Sequence, residues 1–422
     1  MTSVISIVVV FGALIFFHEL GHLILAKRAG ILCREFAIGF GPKLFSFVRN
    51  ETVYTIRLLP LGGFVRMAGE DPELIDIKTG HDVAVITNRE GQVEKLIINN
   101  KKDFPEAKTI NVSKIDLVHK LVIEGYDHED QLLSFDVHPQ AKMVYNGKET
   151  QIAPWDRQFG SKTVGQRALA IFAGPLANFL LAVVLLFAFA LYNGLPGEEA
   201  LIGEVIPDSA ALEAGLQDGD LVTAINGESI QRWTDFQRII SSYPEQEVNL
   251  TISRDGQQIE VPVTPMSRET QTLEGEVVYE GFIGVAPATE RSFLAAIQYG
   301  FVRTYEIIAL LFQALGMLVT GTFTIDDLAG PVGIFQITGQ AAEQGLAVLL
   351  QFAAFLSINL GIMNLLPIPA LDGGRLIFIG LEALRGKPID PQKESLVHFV
   401  GFALLMLLIL VVTWNDIQRI FF

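Results

Sequence analysis

The sequence contains very little cysteine, since Cys33 is the only one in 422 residues. A single cysteine excludes an intramolecular disulfide, so any exported part of the chain must fold without that cross-link. Positive charge is also in deficit, because 31 Lys and Arg face 47 Asp and Glu and leave a formal net charge of −16. This balance argues against nucleic-acid binding. A signal peptide is not indicated either, because the N-terminus lacks a basic n-region and a small-residue cleavage site.

Hydrophobic residues, in contrast, make up 50% of the chain, and its mean hydropathy is +0.39. Apolar runs long enough to cross a bilayer of about 30 Å occupy 4–26, 167–192, 345–366 and 396–414. We therefore predict a polytopic α-helical membrane protein with four transmembrane helices. A further apolar run, 307–320, is about 14 residues long, which is short for a span and favours an interfacial or re-entrant helix.

Basic residues flank these runs unevenly. Lys27, Arg28 and Arg34 follow the first run, and a second basic group lies between the third and fourth runs. The positive-inside rule places both loops in the cytoplasm, so we predict that both termini are extracytoplasmic.

The first apolar run contains the sequence His18-Glu19-Leu20-Gly21-His22, an H-E-x-x-H pattern. On a helix, residues i and i+4 lie on the same face, so two imidazoles can hold one zinc ion while the glutamate acts as general base. Two unrelated core histidines are the weaker interpretation, because no other pair among the seven histidines has this spacing.

A catalytic zinc site needs a third protein ligand. Asp372 is the candidate, because it follows the third apolar run directly after Pro367 and Pro369 end that helix. A helix N-cap would explain Asp372 alone. It would not explain the coincidence with Asn364, the proline break and the distant H-E-x-x-H pattern.

These motifs, together with Gly174-Pro175-Leu176-Ala177-Asn178-Phe179, resemble the site-2 protease family of intramembrane zinc metalloproteases. The resemblance implies that His18, His22 and Asp372 bind Zn²⁺ and that Glu19 is the catalytic base. It implies a multi-pass protein of the bacterial plasma membrane with its active site near the cytoplasmic side. The implied substrates are single-pass membrane proteins, such as anti-sigma factors already cut by an upstream site-1 protease, and remnant signal peptides.

Short β-favouring runs separated by Gly and Pro predict a hairpin over 35–69. Taken alone, it would be an ordinary cytoplasmic hairpin. The resemblance implies that its sheet dips into the membrane and pairs with an unwound substrate strand, with Tyr54 to Phe64 as the predicted edge. Asn178 is predicted either to bond a neighbouring helix or to contact substrate. The candidate substrate-binding residues are Tyr54, Ile56, Gly62, Gly63, Asn178, Asn359 and Asn364.

Two predicted soluble parts interrupt the apolar runs. The polar stretch 70–160 predicts a cytoplasmic β-rich insert to which no function is assigned. The stretch 194–270 contains Ala214-Gly-Leu-x-x-Gly-Asp220 and Ile225-Asn-Gly227, which resemble a bacterial PDZ domain. Such a domain either binds an extended chain end or acts as a steric filter. Its predicted ligand loop comprises Leu201, Ile202, Gly203 and Glu204.

The predicted organisation has eight parts. They are 1–34, the first transmembrane helix; 35–69, the membrane-associated hairpin; 70–160, the insert; 161–193, the second transmembrane helix; 194–270, the extracytoplasmic PDZ domain; 271–344, a linker with interfacial helices; 345–376, the third transmembrane helix with Leu-Asp-Gly; and 377–422, a cytoplasmic loop and the fourth transmembrane helix.

Three other functions fit parts of this pattern. Another membrane H-E-x-x-H peptidase would usually recruit a glutamate as third ligand and lacks the PDZ-like part. A non-catalytic, membrane-anchored PDZ scaffold would not need Glu19. A metal transporter would carry acidic or histidine residues in several helices, whereas the sequence shows one such cluster.

Overall fold

The computed structural model describes residues 2–70, 77–271, 277–321 and 329–421. Parts of the predicted insert and of the predicted linker lie outside the described residues. The chain forms two compact units: the first is Met1–Leu181, Ala329–Glu343 and Leu356–Phe422, and the second is Ala182–Leu328 and Gln344–Phe355.

Helices dominate the apolar parts of the chain. In order they are α1 (Thr2–Arg28), α2 (Val164–Asn193), α3 (Ala210–Glu213), α4 (Trp233–Ser241), α5 (Phe293–Thr320), α6 (Pro331–Glu343), α7 (Leu346–Leu365), α8 (Asp372–Arg385) and α9 (Pro391–Phe421). Five of them, α1, α2, α5, α7 and α9, are long and apolar enough to cross a membrane.

The strands lie mostly in the polar parts of the chain. They are β1 (Cys33–Arg49), β2 (Thr52–Met67), β3 (Asp82–Thr87), β4 (Val93–Ile97), β5 (Lys108–Asp116), β6 (Val122–Tyr126), β7 (Leu132–Tyr145), β8 (Lys148–Gln151), β9 (Leu195–Pro196), β10 (Ile202–Val205), β11 (Leu221–Ile225), β12 (Glu228–Ser229), β13 (Val248–Arg254), β14 (Gln257–Val263), β15 (Met266–Gln271), β16 (Val277–Phe282), β17 (Val285–Pro287) and β18 (Thr289–Glu290).

Helix α5 differs from the sequence-based expectation. The apolar run 307–320 is the second half of one continuous helix of 28 residues. This helix begins early because the Ser292 side chain accepts a hydrogen bond from the Ala295 N–H, and it ends at Gly321, whose φ is +80°. The prediction of a short segment is therefore wrong in length, because the cap at Ser292 extends the helix into less apolar sequence.

Strands β1 and β2 form a hairpin that folds over on itself. A two-residue turn at Asn50 and Glu51 joins them, and both residues have positive φ, as a type I′ turn requires. Arg157 donates two hydrogen bonds, of 2.9 and 2.8 Å, to the Glu51 carboxylate, and these lower the pKa of Glu51 to about 2. The turn is thereby fixed to the start of the segment that leads into α2.

The register of this hairpin corrects the predicted edge. Tyr54 pairs with both Phe36 and Phe47, and Ile56 pairs with both Ile38 and Phe45. Strand partners on both sides leave no free backbone edge at Tyr54 or Ile56, because the hairpin arms double back. Gly63 to Arg66, in contrast, pair on one side with β1, and the described residues place no strand on the other side.

The insert is a six-stranded sheet in the order β4-β3-β5-β6-β7-β8. An additional parallel pairing between β4 and β7 closes the first five strands into a ring. Alternate side chains point into this ring, as the two-residue period of strands requires. Its buried interior includes Val83, Leu96, Ile110, Val112 and Ile123.

The second unit contains a compact soluble module around the sheet β12-β11-β13-β14. Its core includes Ile202, Trp233, Ile252 and also Ile283. Strand β18 pairs with β9, and β17 pairs with β10. The module therefore continues to about residue 290, beyond the predicted boundary at 270, because its last strands complete the pairing of its first.

Strand β10 occupies the predicted ligand loop, and its backbone is engaged on both sides. It pairs with β17 on one side. On the other, the Ile202 N–H donates to the Asp220 carbonyl and the Gly219 N–H donates to the Ile202 carbonyl. Ile202 thus offers no free edge for an added peptide strand, and the role of Leu201, Gly203 and Glu204 in a ligand loop stays a prediction.

Candidate metal centre

Helices α1 and α2 approach each other through glycines. A Cβ added to Gly21 would lie 2.1 Å from the Ala173 carbonyl oxygen. A Cβ added to Gly174 would lie 2.2 Å from Nε2 of His22 and 2.9 Å from Cε1 of His18. Neither distance is compatible with a side chain, so glycine at both positions allows the two imidazoles to lie directly against α2.

Helix α7 brings the third residue of the site to the same place. The Ser357 hydroxyl donates to the Asn178 carbonyl oxygen at 2.8 Å, and Gly361 lies against the Phe179 ring. After α7 ends at Leu365, the chain turns and Asp372 begins α8. The glycines after Asp372 are needed for this turn, because a Cβ on Gly373 would lie 2.2 Å from the Leu366 carbonyl oxygen.

The three predicted metal ligands converge in space. Asp372 Oδ2 lies 3.3 Å from Nε2 of His18 and 3.3 Å from Nε2 of His22. The two Nε2 atoms are also 3.3 Å apart. Both histidines are buried, and Asp372 is nearly so. Within the described residues, these three form the group with the composition and spacing of a metal site.

This triangle fits a zinc ion. Ligand atoms about 2.0 to 2.1 Å from a tetrahedral zinc lie about 3.3 Å from one another, as these three atoms do. Asp372 Oδ2 is buried and makes no hydrogen bond of normal geometry within the described residues. A buried carboxylate oxygen that lacks a hydrogen bond and lies equally close to two imidazole nitrogens is well satisfied by a cation.

The second nitrogen of each imidazole bonds to α2. Nδ1 of His22 donates to the Ala170 carbonyl oxygen at 2.9 Å. Nδ1 of His18 lies 3.2 Å from the side-chain amide of Asn178. Such outer partners fix the tautomer and the orientation of metal-binding histidines.

The Asn178 amide bears on one of the two alternatives that the sequence left open, the bond to a neighbouring helix. When Nε2 of His18 binds a metal, its Nδ1 carries the proton and donates, so Asn178 presents Oδ1 to the ring. This orientation also gives Oδ1 a partner, which it lacks when the amide nitrogen faces the ring. Asn178 has no exposed surface. The structure therefore places Asn178 in a bond between α1 and α2, and its contact with a substrate stays a prediction.

Glu19 lies beside the hairpin. It is buried, and a Cβ added to Gly63 would lie 2.8 Å from Cγ of Glu19. Gly62 has φ of +108°, which a residue with a side chain rarely adopts. Gly62 and Gly63, both predicted to bind substrate, thus allow the segment of β2 that pairs on one side only to lie against Glu19.

Asn359 and Asn364 lie on α7, and both are half-buried. The Asn364 amide nitrogen donates to the Leu360 carbonyl oxygen of its own helix at 3.0 Å, which leaves its side-chain oxygen for another partner. Their role in substrate binding stays a prediction, as does that of Tyr54 and Ile56.

Sequence reasoning missed several residues that build the centre. The Ala170 carbonyl has no sequence signal, because any residue supplies a carbonyl. Arg167 and Glu382 join α2 to α8 by two hydrogen bonds of 2.9 and 2.6 Å, a bidentate pair between distant parts of the chain. His398, whose Nδ1 accepts a hydrogen bond from the Ala370 N–H, could have been found from the sequence. A histidine in an apolar run is costly unless it has a partner, so it indicates a specific contact.

A helix-borne H-E-x-x-H, an aspartate 3.3 Å from both of its histidines and several membrane-length helices are together typical of a membrane zinc metalloprotease. A family model described as peptidase family M50 matches residues 6–408. The chain belongs to peptidase family M50. It is a zinc metalloprotease of the site-2 type, which confirms the resemblance seen in the motifs and sets aside the non-catalytic scaffold.

Named relatives agree with this assignment. The chain is 54% identical to the zinc metalloprotease RasP of Geobacillus kaustophilus over 421 residues, which cover 100% of this chain and 99% of the relative. It is 53% identical to the regulator of sigma-W protease RasP of Bacillus subtilis over 423 residues, with the same coverage. Zinc as the cofactor follows from these relatives.

Among solved structures, the PDZ domain of an SdrC-like protein from Listeria monocytogenes matches 22% of this chain and 92% of that chain. The sequence identity is 18% and the TM-score is 0.18, which supports no further argument.

Proposed function

We propose that this chain hydrolyses peptide bonds within the membrane, with His18, His22 and Asp372 as the zinc ligands and Glu19 as the general base. The observation that carries the proposal is the triangle of 3.3 Å sides formed by two imidazole nitrogens and one carboxylate oxygen. The buried Glu19 directly follows His18 in the sequence, as the H-E-x-x-H pattern requires.

The residues divide the chemistry between them. Zinc, when bound, polarises the scissile carbonyl and makes water more acidic. Glu19 accepts a proton from the attacking water and then donates it to the leaving amide nitrogen, so that one bond to carbon forms and the C–N bond breaks. Asn178 and the Ala170 carbonyl hold the two imidazoles in the tautomer with Nε2 free. Burial of Glu19 beside Gly63 keeps bulk water from the reacting groups.

The free edge of β2 is the proposed substrate platform. A transmembrane helix hides its amides in its own hydrogen bonds, so it must unwind before Glu19 can act. An unwound segment can add as a strand to Gly63–Arg66, which pair on one side with β1. We propose that Asn359 and Asn364 engage other backbone groups that unwinding exposes.

The hairpin also carries a surface suited to lipid. Leu44, Phe45 and Val48 are 63%, 58% and 71% exposed. Three large apolar side chains exposed on one hairpin indicate contact with an apolar medium. This supports the proposal that the sheet dips into the bilayer.

Helix directions support four membrane crossings. His22 lies against Ala170 and His18 against Asn178, so α1 and α2 are antiparallel. Ser357 contacts Asn178, and Gly361 contacts the Pro175 carbonyl one turn back along α2, so α7 runs in the direction of α1. The chain must therefore leave α2 and enter α7 on the same side of the membrane.

We propose that helix α5 does not make a fifth complete crossing. If α5 crossed, α6 would have to cross back, and its 13 residues span only about 20 Å. Helix α5 also carries the ion pair Arg303–Glu306, both residues of which are half-exposed and costly in a bilayer centre. Labelling of single cysteines at both ends of α5 tests this: equal access from outside supports four crossings, and opposite access supports five.

The names of the relatives suggest a cellular role for this chain. We propose a bacterial plasma-membrane enzyme that cuts single-pass substrates of the anti-sigma type, after an upstream site-1 protease has removed their outer domain. The name of the Bacillus subtilis relative, a regulator of sigma-W protease, supports this substrate class. We propose that the module of the second unit is an extracytoplasmic PDZ domain that selects trimmed substrates.

The general-base role is tested with Glu19→Gln. This variant should keep zinc and lose cleavage of a tagged single-span substrate by at least about 100-fold, because proton transfer contributes 10²–10⁴-fold. The control is Glu213→Gln, an exposed glutamate of the second unit. Full activity of Glu19→Gln, measured with native zinc content, would remove Glu19 from the mechanism.

A further inference from the structure

The loop that precedes Asp372 contains a residue in an unfavourable backbone conformation. Ala370 has φ of +81°, the largest positive φ of any non-glycine residue that the structure describes. Most other such residues are Asn or Asp, which tolerate this region better than alanine. Because Asp372 follows two residues later, an external contact must hold Ala370 in place for the ligand to be aimed correctly.

Helix α9 supplies that contact from one face. Nδ1 of His398 accepts a hydrogen bond from the Ala370 N–H at 2.9 Å. Three residues along the same face, a Cβ added to Gly401 would lie 2.4 Å from Cβ of Pro369. The side chain of His398 thus holds Ala370, and the backbone at Gly401 packs against Pro369. Both contacts act on the loop that leads to Asp372.

The surroundings of His398 favour the tautomer that this bond requires. Nδ1 can accept only when it carries no proton, so the proton must lie on Nε2. Nε2 is buried and has no hydrogen-bond partner in the part of the chain that the structure describes, but Oε1 of Glu394 lies 3.8 Å from it. The Phe378 ring, with its centroid 5.3 Å from that of the imidazole, limits rotation of the histidine.

We propose that His398 is a positioning residue for the metal centre. Its Nδ1 fixes the Ala370 peptide, and this fixes Asp372 Oδ2 at equal distance from the two zinc-binding imidazoles. His398 touches neither substrate nor metal, and its effect is on how firmly the third ligand is held. The inference rests on the proposed metal site.

Zinc affinity of the full-length chain in detergent, measured by competition with a chromogenic chelator, tests the proposal. His398→Leu fills the space with an apolar side chain and removes the acceptor. It should weaken zinc binding about 10- to 100-fold, the usual effect of losing an outer-sphere partner. His398→Asn places an oxygen where Nδ1 lies and should stay within about 3-fold of the native affinity. Phe399→Leu, at an exposed neighbouring position of α9, is the matched control.

A second variant separates positioning from general packing. Ala370→Gly removes the conformational penalty, since glycine adopts positive φ freely. In that background His398→Leu should weaken zinc binding by a clearly smaller factor than it does alone. The absorption spectrum of cobalt(II) bound in place of zinc should change in His398→Leu and be restored in His398→Asn.

The outcomes are distinct. Unchanged zinc affinity in His398→Leu overturns the proposal. An equal loss in His398→Leu and His398→Asn, with no relief by Ala370→Gly, also overturns it, since that pattern belongs to packing. If His398→Leu does not fold, His398→Asn in the native background decides: affinity within about 3-fold of native supports the proposal, and a loss of about 10-fold or more overturns it. Zinc retained in Asp372→Asn would instead refute the metal site itself, whatever the His398 variants show.

Discussion

Single residues determine whether the zinc ligands can converge at all. The proximity of His18 and His22 was predictable from the sequence, because helix geometry converts a four-residue spacing into a shared face. The partner of His18 was not predictable. Asn178 is 160 positions away in sequence, and only the packing of α2 against α1 brings its amide to the imidazole.

Gly174 is the most demanding single position in the centre. Gly174→Ala should lower both zinc affinity and cleavage at least about 10-fold, because the added methyl would lie 2.2 Å from Nε2 of His22, the nitrogen proposed to bind zinc. Zinc competition and substrate cleavage in membranes measure the two effects.

The control for this change is on the same helix. A Cβ added to Gly165 meets no atom within 4 Å, so Gly165→Ala should retain native zinc affinity and activity. Native zinc binding by Gly174→Ala would show that α1 and α2 are not packed as described.

At the scale of elements, short segments hold the catalytic helix in place. Helix α6 packs on α1 through the Phe335 and Phe11 rings, whose centroids are 5.0 Å apart. Its N-terminus is capped from α9, since the buried Asp416 carboxylate accepts hydrogen bonds from the Gly330 and Gly333 N–H groups at 3.0 and 2.8 Å. A carboxylate at a helix N-terminus also interacts favourably with the helix dipole.

Asp416→Ala should therefore destabilise this region. Two buried N–H groups lose their acceptor, which costs about 2 kcal/mol or more of local unfolding free energy. Hydrogen exchange of peptides from α6 should accelerate in this variant. Exchange in α6 should stay at the native rate in Gln418→Ala, which changes an exposed residue of α9, the helix that carries Asp416. Equal exchange in both variants would contradict the capping role.

Elements also show where sequence reasoning failed. The hairpin at 35–69 was predicted from alternating β-favouring residues, but not its folding over, because strand register depends on contacts between residues far apart. The length of α5 was underestimated because its first half is less apolar than its second and is helical through its cap at Ser292. The pairing of β10 at 202–205 was not predictable either, because its partner strand begins only at residue 285.

At the scale of the whole molecule, the second unit carries a charge pair that makes it sensitive to acid. Asp220 is completely buried, and Arg254 donates to both of its carboxylate oxygens at 2.7 Å. Burial raises the pKa of Asp220, but the hydrogen bonds from Arg254 and from the Gln217 N–H outweigh burial and lower the pKa below its usual value.

The sign of the pH dependence follows. A carboxyl group with a lowered pKa in the folded state stabilises the unit above the pKa of about 3.9 that it has when unfolded, and this contribution is lost as pH falls further. Asp220→Asn should lower the unfolding free energy by about 2 kcal/mol at neutral pH and reduce the acid dependence below about pH 4.

Hydrogen exchange in β13, followed from pH 7 to pH 3 in the full chain, measures this effect. Asp255→Asn alters an exposed aspartate next to Arg254 and serves as the control. If Asp220→Asn and the native chain show the same stability at neutral pH, the buried pair does not stabilise the module.

The central claim is that two histidines and one aspartate bind the catalytic zinc, and X-ray absorption of the zinc-loaded, full-length chain tests it most directly. We expect a shell of nitrogen and oxygen at about 2.0 to 2.1 Å without sulfur, and we expect Asp372→Asn to lose metal. A sulfur shell at about 2.3 Å would contradict the assignment, and Cys33, the single cysteine, would be its source. An unchanged spectrum in Asp372→Asn would also contradict it.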